Sequence, residues 1–383
     1  MTGSARADLD ASARALVGVL AEAGRARAPT GVDGLVDLVT NDVLALRRDP
    51  RVVAAAVAAL RRTGLGAGGS RLLGGDDEAH HALEAEAAAW TGAEAALLYP
   101  TGTAANHGLV AGLVDRSDLV VAEQENHGSL VEAVRSARAR TLLVARGNLG
   151  ALDRALAAGG PRGRRFVVLE SLHGMDGDAA DLPAVAEVVR RRDALLLVDE
   201  AHAVGLLGPR GAGLADPASV GDVLAARSLP CGKALGGAGG LVVGSRAVVE
   251  LLVHRSKAFA FATGLPPAIA AGTLAALRIA RDEPARAARA RAAARRVEAH
   301  LVARGQSVAA VDGAFVPWVL GRDDRALEVA SALRARGFAV RAVRPPTVPE
   351  GTARVRLSCH ADLTERDLRR LLAAISAVTE PGR

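Results

Sequence analysis

The sequence predicts an α/β protein with a large domain on a mostly parallel sheet and a smaller α+β domain at its C-terminus. Three observations carry this. From about residue 95, the short apolar runs "AALLYP", "LVVAE", "TLLVA", "RFVVLE", "ALLLVDE" and "GGLVVG" alternate with longer helical patterns. The runs are apolar at successive positions instead of alternating ones, as strands covered on both faces are. Beyond about residue 280 the rhythm changes to mixed short strands and amphipathic helices.

The elements follow in order. "MTGSARADLDASARALVGVLAEAGRA" mixes charge into an amphipathic helix and lacks a signal-peptide apolar region. "VVAAAVAALRRTG" has helical spacing and a glycine stop. The runs of the large domain come next, and "DEPARAARARAAARRVEAHLVARG" is a long Arg/Ala helix. "FVPWVL", "RALEVASALRARG", "FAVRAV", "ARVRLSC" and "RDLRRLLAAISAV" then supply the smaller domain. The expected division is an N-terminal helix and arm over residues 1–40, a large domain over 41–280 and a small domain over 281–383.

Composition narrows the function. The chain has 383 residues, half of them hydrophobic, enough for a large core. Its apolar runs are too short to span a bilayer, which predicts a cytoplasmic protein with no membrane partner. Two cysteines, Cys231 and Cys359, cannot build a disulfide framework or a metal cage. The net charge of +6 is interleaved and only 2% of residues are aromatic, so the stacking platforms of nucleic-acid binders are missing. Anionic substrates are compatible with that charge.

Three familiar signatures fail on context. "GLGAGG" matches a dinucleotide fingerprint at Gly64, Gly66 and Gly69 but follows a helical pattern where a strand is required. "CGKAL" lacks the upstream Gly and the Ser/Thr of a phosphate-binding P-loop. His80 and His81 are adjacent and point different ways on a helix, a poor geometry for zinc. No metal site is expected.

Lysine usage is more informative. Among 48 Lys plus Arg, lysine stands only at Lys233 and Lys257. Arginine cannot shed a proton near neutrality and cannot form a Schiff base, whereas lysine can. Lys257, in "HRSKAF", reads as an ordinary surface cation, but Lys233 sits in "SLPCGKALGGAGG", whose small glycines leave room for a bulky group. Other chemistry-bearing residues fall at predicted C-terminal strand ends, where open α/β sheets bind ligands. Asp199 ends "ALLLVDE" and fits either a helix cap or a functional carboxylate, and His202 follows it. His127 in "AEQENHGSL" follows another strand and fits either a locally satisfied ring or a ligand contact. Gly102 and Thr103 open a helix in "YPTGTAANHG", either as a plain helix start or as an anion cradle. In this order they form the parts list for pyridoxal phosphate: an anion cradle, a ring cover, a partner for the pyridine nitrogen, a contact to the phenolic oxygen and a Schiff-base amine.

On these residues, together with "GAGGSRLLGG", "MDGD", "VDEAHAVGLLGPRGAG", "LPP" and "RPPTVPEGTARVRLS", the sequence resembles the α-oxoamine synthases, pyridoxal-phosphate enzymes of fold type I, over residues 36 to 375. The resemblance implies that Lys233 carries the cofactor and moves the α-proton, Asp199 pairs with the pyridine nitrogen, His202 contacts the phenolic oxygen and His127 stacks on the ring. It implies that Gly102 and Thr103 bind phosphate and that Thr263 reaches the phosphate of a neighbouring subunit, which makes the protein a homodimer with its active site at the subunit interface. Arg356 with Asn41 would receive the amino-acid carboxylate, and Arg344 would lie close by in the substrate site.

The implied chemistry is a decarboxylative condensation of an amino acid with an acyl thioester. Within the family, the likeness of "RPPTVPEGTARVRLS" implies L-alanine and a pimeloyl thioester of coenzyme A or a carrier protein. Rivals are glycine with acetyl- or succinyl-coenzyme A, and a cofactor-free binding protein on the same scaffold. Several positions depart from the family pattern. Thr103 stands for an aromatic, Pro230 for a threonine, Gly174 for a serine, and the early "NDYLGL" reads "NDVLAL", with Val43 and Ala45.

Overall fold

The computed structural model describes residues 5–29, 31–158 and 163–379. Its centre is a seven-stranded sheet in the order Ala95–Tyr99, Gly240–Gly244, Leu224–Pro230, Leu195–Asp199, Arg165–Glu170, Leu119–Glu123, Arg140–Val144. Gly240–Gly244 runs antiparallel to both neighbours, and every other pairing is parallel. The two-sided apolar pattern has its expected consequence. Val120, Ala122, Phe166, Val168 and Leu197 pack on one face, while Leu119, Val121, Val167, Leu169, Leu196 and Val198 pack on the other. Helices cover both faces, and six of the seven strands bury side chains of both parities, while the edge strand Arg140–Val144 buries only Val144.

The strand Leu224–Pro230 was not among the apolar runs, because "LAARSLP" carries a buried arginine and serine. Arg227 is tolerated there since its guanidinium meets Glu200 at 3.2 Å and donates to the carbonyl of Thr91 at 2.8 Å. Its loop to Gly240–Gly244 holds Lys233. The glycines of that loop serve a different purpose from the one expected. Gly236 sits at φ +61 with Arg47 N 2.4 Å from where a Cβ would stand, and a Cβ on Gly237 would meet Thr273 Oγ1 at 2.3 Å. They permit a left-handed turn and close backbone packing, and they do not leave an open space.

The remaining residues build a second layered unit. An antiparallel four-stranded sheet, in the order Ala342–Val343, Ala353–Ser358, Phe315–Gly321, Ser307–Val308, packs against the helices Ala285–Ala303, Asp323–Ala335 and Glu365–Thr379. Trp318, Leu333, Phe338, Leu357 and Ile375 fill its core. The expected single strand in "FAVRAV" divides into Phe338–Ala339, parallel to Val36–Asp37, and Ala342–Val343. Leu38 joins this core, and its carbonyl accepts from Ser358 N at 2.9 Å. That crossing brings Asn41 beside the strand that carries Arg356. The preceding helix, Pro267–Asp282, packs instead on Pro50–Thr63 and Glu78–Thr91. The helix Ala5–Glu22 has no buried residue, and among the described residues no helix is long and apolar enough to cross a membrane.

Candidate active site

Gly102, His127, Asp199, His202 and Lys233 stand at or just beyond the C-terminal ends of strands of the large sheet. Asp199 closes its strand, is 2% exposed, and uses Oδ1 to accept from Ala201 N at 2.9 Å. Its Oδ2 accepts from Asn106 Nδ2 at 2.8 Å. Asn106 stands one turn after Gly102 on the helix Gly102–Leu113. The second Asn106 Nδ2 proton goes to Ser129 Oγ at 2.9 Å, and Asn106 Oδ1 accepts from the Ser228 hydroxyl at 2.6 Å. This network fixes the amide orientation and holds Asp199 with neutral partners only. Among the described residues Asp199 makes no ion pair, so a buried carboxylate awaits a cation.

His127 caps the helix Gly128–Ala137. Its Nδ1 accepts from Ser129 N at 3.2 Å and from the Ser129 hydroxyl at 2.7 Å. The ring therefore carries its proton on Nε2 when neutral. Its backbone N–H donates to Glu170 Oε1 at 2.6 Å. Glu170 faces Asp199 in register on the adjacent strand. Its carboxyl is pushed up to about 7, first by burial and then by the Asp199 charge.

Lys233 Nζ lies 2.9 Å from His202 Nε2. Burial holds its ammonium below the ordinary value; Asp199 and Glu170 oppose the shift and Arg356 reinforces it. His202 is pushed well below its ordinary value, first by burial and then by the cations of Lys233 and Arg356. Arg356 donates to Asn41 Oδ1 at 2.8 Å, and its Nε is buried with no partner. Desolvation lowers this guanidinium to about 10. A part-buried cation with a buried Nε and no carboxylate partner among the described residues is suited to an anionic ligand.

Gly102 and Thr103 begin the helix Gly102–Leu113. Thr101 Oγ1 takes Ala104 N at 3.0 Å and Thr101 O takes Ala105 N, leaving the amides of Gly102 and Thr103, the first two of the helix, without an intrahelical partner. Lys257 lines a cavity of about 750 Å³ with His107, Asp115 and Arg255. The same lining includes Ala111 and Gly112 near the C-terminal end of that helix, roughly 15 Å along its axis from Gly102. Arg344 makes no bond to Lys233, His202 or Arg356; it lines a cleft of about 290 Å³ with Arg25, Arg27, Arg341 and Met175. Thr263 is exposed and bridges to Ser70. His80 is buried against the carbonyl of Leu265, while His81 faces solvent and Asp76, and no metal-binding group occurs among the described residues. Asn106, Ser129, Ser228 and Glu170 were not singled out from the sequence. Of these, Glu170 carried a signal, since it ends "RFVVLE" as Asp199 ends "ALLLVDE".

A lysine whose ammonium is disfavoured by burial, a buried carboxylate without an ion pair among the described residues and two helix-start amides without an intrahelical partner fit pyridoxal phosphate, and this fold is that of the pyridoxal-phosphate enzymes of fold type I. The chain belongs to the aminotransferase class I and II family, whose model matches residues 33–375. It is similar to an 8-amino-7-oxononanoate synthase of Anaeromyxobacter dehalogenans strain 2CP-1, 44% identical over 376 residues, covering 97% of this chain and 94% of that one. It is similar also to one of Methylobacterium nodulans, 41% identical over 363 residues, covering 94% and 92%. Among solved structures, Sphingomonas wittichii serine palmitoyltransferase superposes with TM-score 0.91 at 25% identity, covering 98% of both chains. A high-resolution structure of SPT with PLP matches at 0.88 and 26%, covering 94% and 97%. A Francisella tularensis 8-amino-7-oxononanoate synthase shares the fold, with TM-score 0.76, 22% identity and coverage of 91% and 97%.

Proposed function

We propose that this enzyme condenses L-alanine with a pimeloyl thioester, releasing carbon dioxide and the free thiol and forming 8-amino-7-oxononanoate for biotin biosynthesis. The observation that carries the reading is Arg356. Its desolvated guanidinium, with Asn41 beside it, is shaped to fork a carboxylate within reach of Lys233. The names of the relatives supply the product, 8-amino-7-oxononanoate, and the family resemblance supplies the substrates.

Pyridoxal phosphate, when bound, supplies an aldehyde for Schiff-base formation and a ring that accepts the electron pair left at Cα. Asp199 would keep the ring nitrogen protonated, with Asn106 aiming its carboxylate. Gly102 and Thr103 would hold the phosphate, His202 would contact the phenolic oxygen and His127 would cover the ring. Arg356 fixes the amino-acid carboxylate, which turns Cα–H toward Lys233, and the Lys233 amine takes that proton. Arg344 belongs to the substrate site, to which either coenzyme A or a carrier protein delivers the acyl chain.

The active unit is a cytoplasmic homodimer, and its division falls near residues 40 and 280. Leu65, Leu73 and Phe261, which are 85%, 83% and 83% exposed, stand on the two segments that Ser70 and Thr263 join. Such a surface suits a second copy, into whose site Thr263 would reach. Purified enzyme should be incubated with L-alanine and pimeloyl thioester, with glycine and acetyl-coenzyme A, and with L-serine and palmitoyl-coenzyme A, and the products identified by mass. The first pair should give the highest specificity constant. Preference for either other pair moves the assignment to that chemistry.

A further inference from the structure

Gly174 has no left-handed backbone requirement, as it does not appear among the positive-φ residues. Its lack of a side chain has a different cause. A Cβ placed there would stand 2.3 Å from His202 Nε2, 2.8 Å from Cδ2 and 3.2 Å from Cε1. The imidazole occupies the side-chain space of residue 174, and the atom a substituent would strike first is the one that lies 2.9 Å from Lys233 Nζ. Phe315 closes the other side of the ring with an edge contact, centroids 5.5 Å apart.

The far side of that ring faces a cation. Arg356 Nη2 is 3.5 Å from His202 Nδ1. A guanidinium has only donors, so the favourable partner is an Nδ1 lone pair, which places the imidazole proton on Nε2. An Nε2–H can only donate. An ammonium has no lone pair to receive it, whereas an uncharged amine does. The carboxylates of Asp199 and Glu170 favour the charged lysine and Arg356 disfavours it, while Lys233, Arg356, His127 and His173 all disfavour a charged His202.

We propose that Gly174 is a positioning residue: by offering no side chain it admits His202 against Lys233, and the Arg356–His202 contact then holds the Lys233 amine uncharged and ready to capture an aldehyde. The proposal rests on Lys233 being the cofactor-bearing lysine. In the structure, the serine expected at this position from the family pattern would displace the ring.

The test uses the full chain stripped of cofactor, as parent, Gly174→Ala and Gly174→Ser. The ring-nitrogen spectrum of ¹⁵N-histidine-labelled protein reads the His202 tautomer, and the rate of pyridoxal-phosphate capture, followed by its visible band, is measured against pH. The parent should show Nε2–H. The variants should lose that signal, and their capture midpoint should rise by about one pH unit, with rates approaching the parent's at high pH. A purely structural defect would slow capture equally at every pH and overturn the proposal, as would an Nδ1–H tautomer in the parent. If neither variant folds, the parent tautomer alone decides. Borohydride reduction separates the two layers. A label away from Lys233 overturns the reading beneath, whereas a label on Lys233 with unchanged midpoints in folded variants overturns only the role of Gly174.

Discussion

Arg356 places its guanidinium carbon 3.9 Å from the ring centroid of Phe315 and makes its hydrogen bond to Asn41 at 2.8 Å. The aromatic face supports the cation but brings no countercharge, so the edge that would fork a carboxylate is left for substrate. Arg356→Ala should raise the KM for L-alanine roughly tenfold to a hundredfold, the loss of one charge-assisted contact of about 1.5–3 kcal/mol. Steady-state kinetics with saturating acyl thioester check this. An unchanged alanine dependence removes Arg356 from the carboxylate site.

Pro230 ends its strand against the cradle, since a Cβ on Gly102 would come within 2.8 Å of Pro230 Cβ. Proline brings neither a hydroxyl nor an N–H to that position, while the Thr103 hydroxyl is exposed at the helix start. Pro230→Thr should tighten pyridoxal phosphate and Thr103→Phe should loosen it, each by roughly tenfold to a hundredfold, with the double variant near the parent. Equilibrium titration of the cofactor-free protein measures this, and an unchanged Kd in folded Pro230→Thr contradicts it.

Glu170 links protonation to stability. Its folded carboxyl, at about 7, binds its proton more tightly than an unfolded glutamate does. The stabilisation is therefore full below the unfolded value near pH 4 and is lost as the pH rises through about 7. Glu170→Gln keeps an oxygen for the His127 N–H and removes that loss. In the cofactor-free protein, its Tm relative to the parent should rise between about pH 5 and pH 8, by an amount equivalent to about 1–3 kcal/mol. A difference independent of pH would show that Glu170 is ionised throughout.

Arg227 and Glu200 are 2% and 0% exposed, and Glu200 also accepts from Leu214 N, Ala215 N and the Ser171 hydroxyl. Arg227→Leu leaves that carboxylate without its cation and should cost about 3–5 kcal/mol in denaturant unfolding. The double variant with Glu200→Gln should recover part of the loss. A cost under about 1 kcal/mol would mean that the pair is solvated in solution.

The same pair explains what the sequence concealed. Strands such as Leu195–Asp199 announce themselves because nothing but apolar side chains meets both covering layers. Leu224–Pro230 does not, because its buried cation is neutralised by a residue 27 positions away. At the site, ionisable groups at strand ends were readable one by one. The neutral residues that aim them were not: Asn106, Ser129 and Ser228 have no charge signature, and Asn106 reaches Asp199 across 93 positions. Gly174 was visible as a departure from the family pattern, but its meaning required the His202 ring in place.

The most direct measurement is borohydride reduction of the pyridoxal-phosphate-loaded enzyme followed by peptide mapping. The chain offers only two lysines, Lys233 beside His202 and Lys257 in a separate cavity. The pyridoxyl label should be found on Lys233, and Lys233→Ala should abolish it together with the visible absorbance. A label on Lys257, or none on either lysine, would contradict the account.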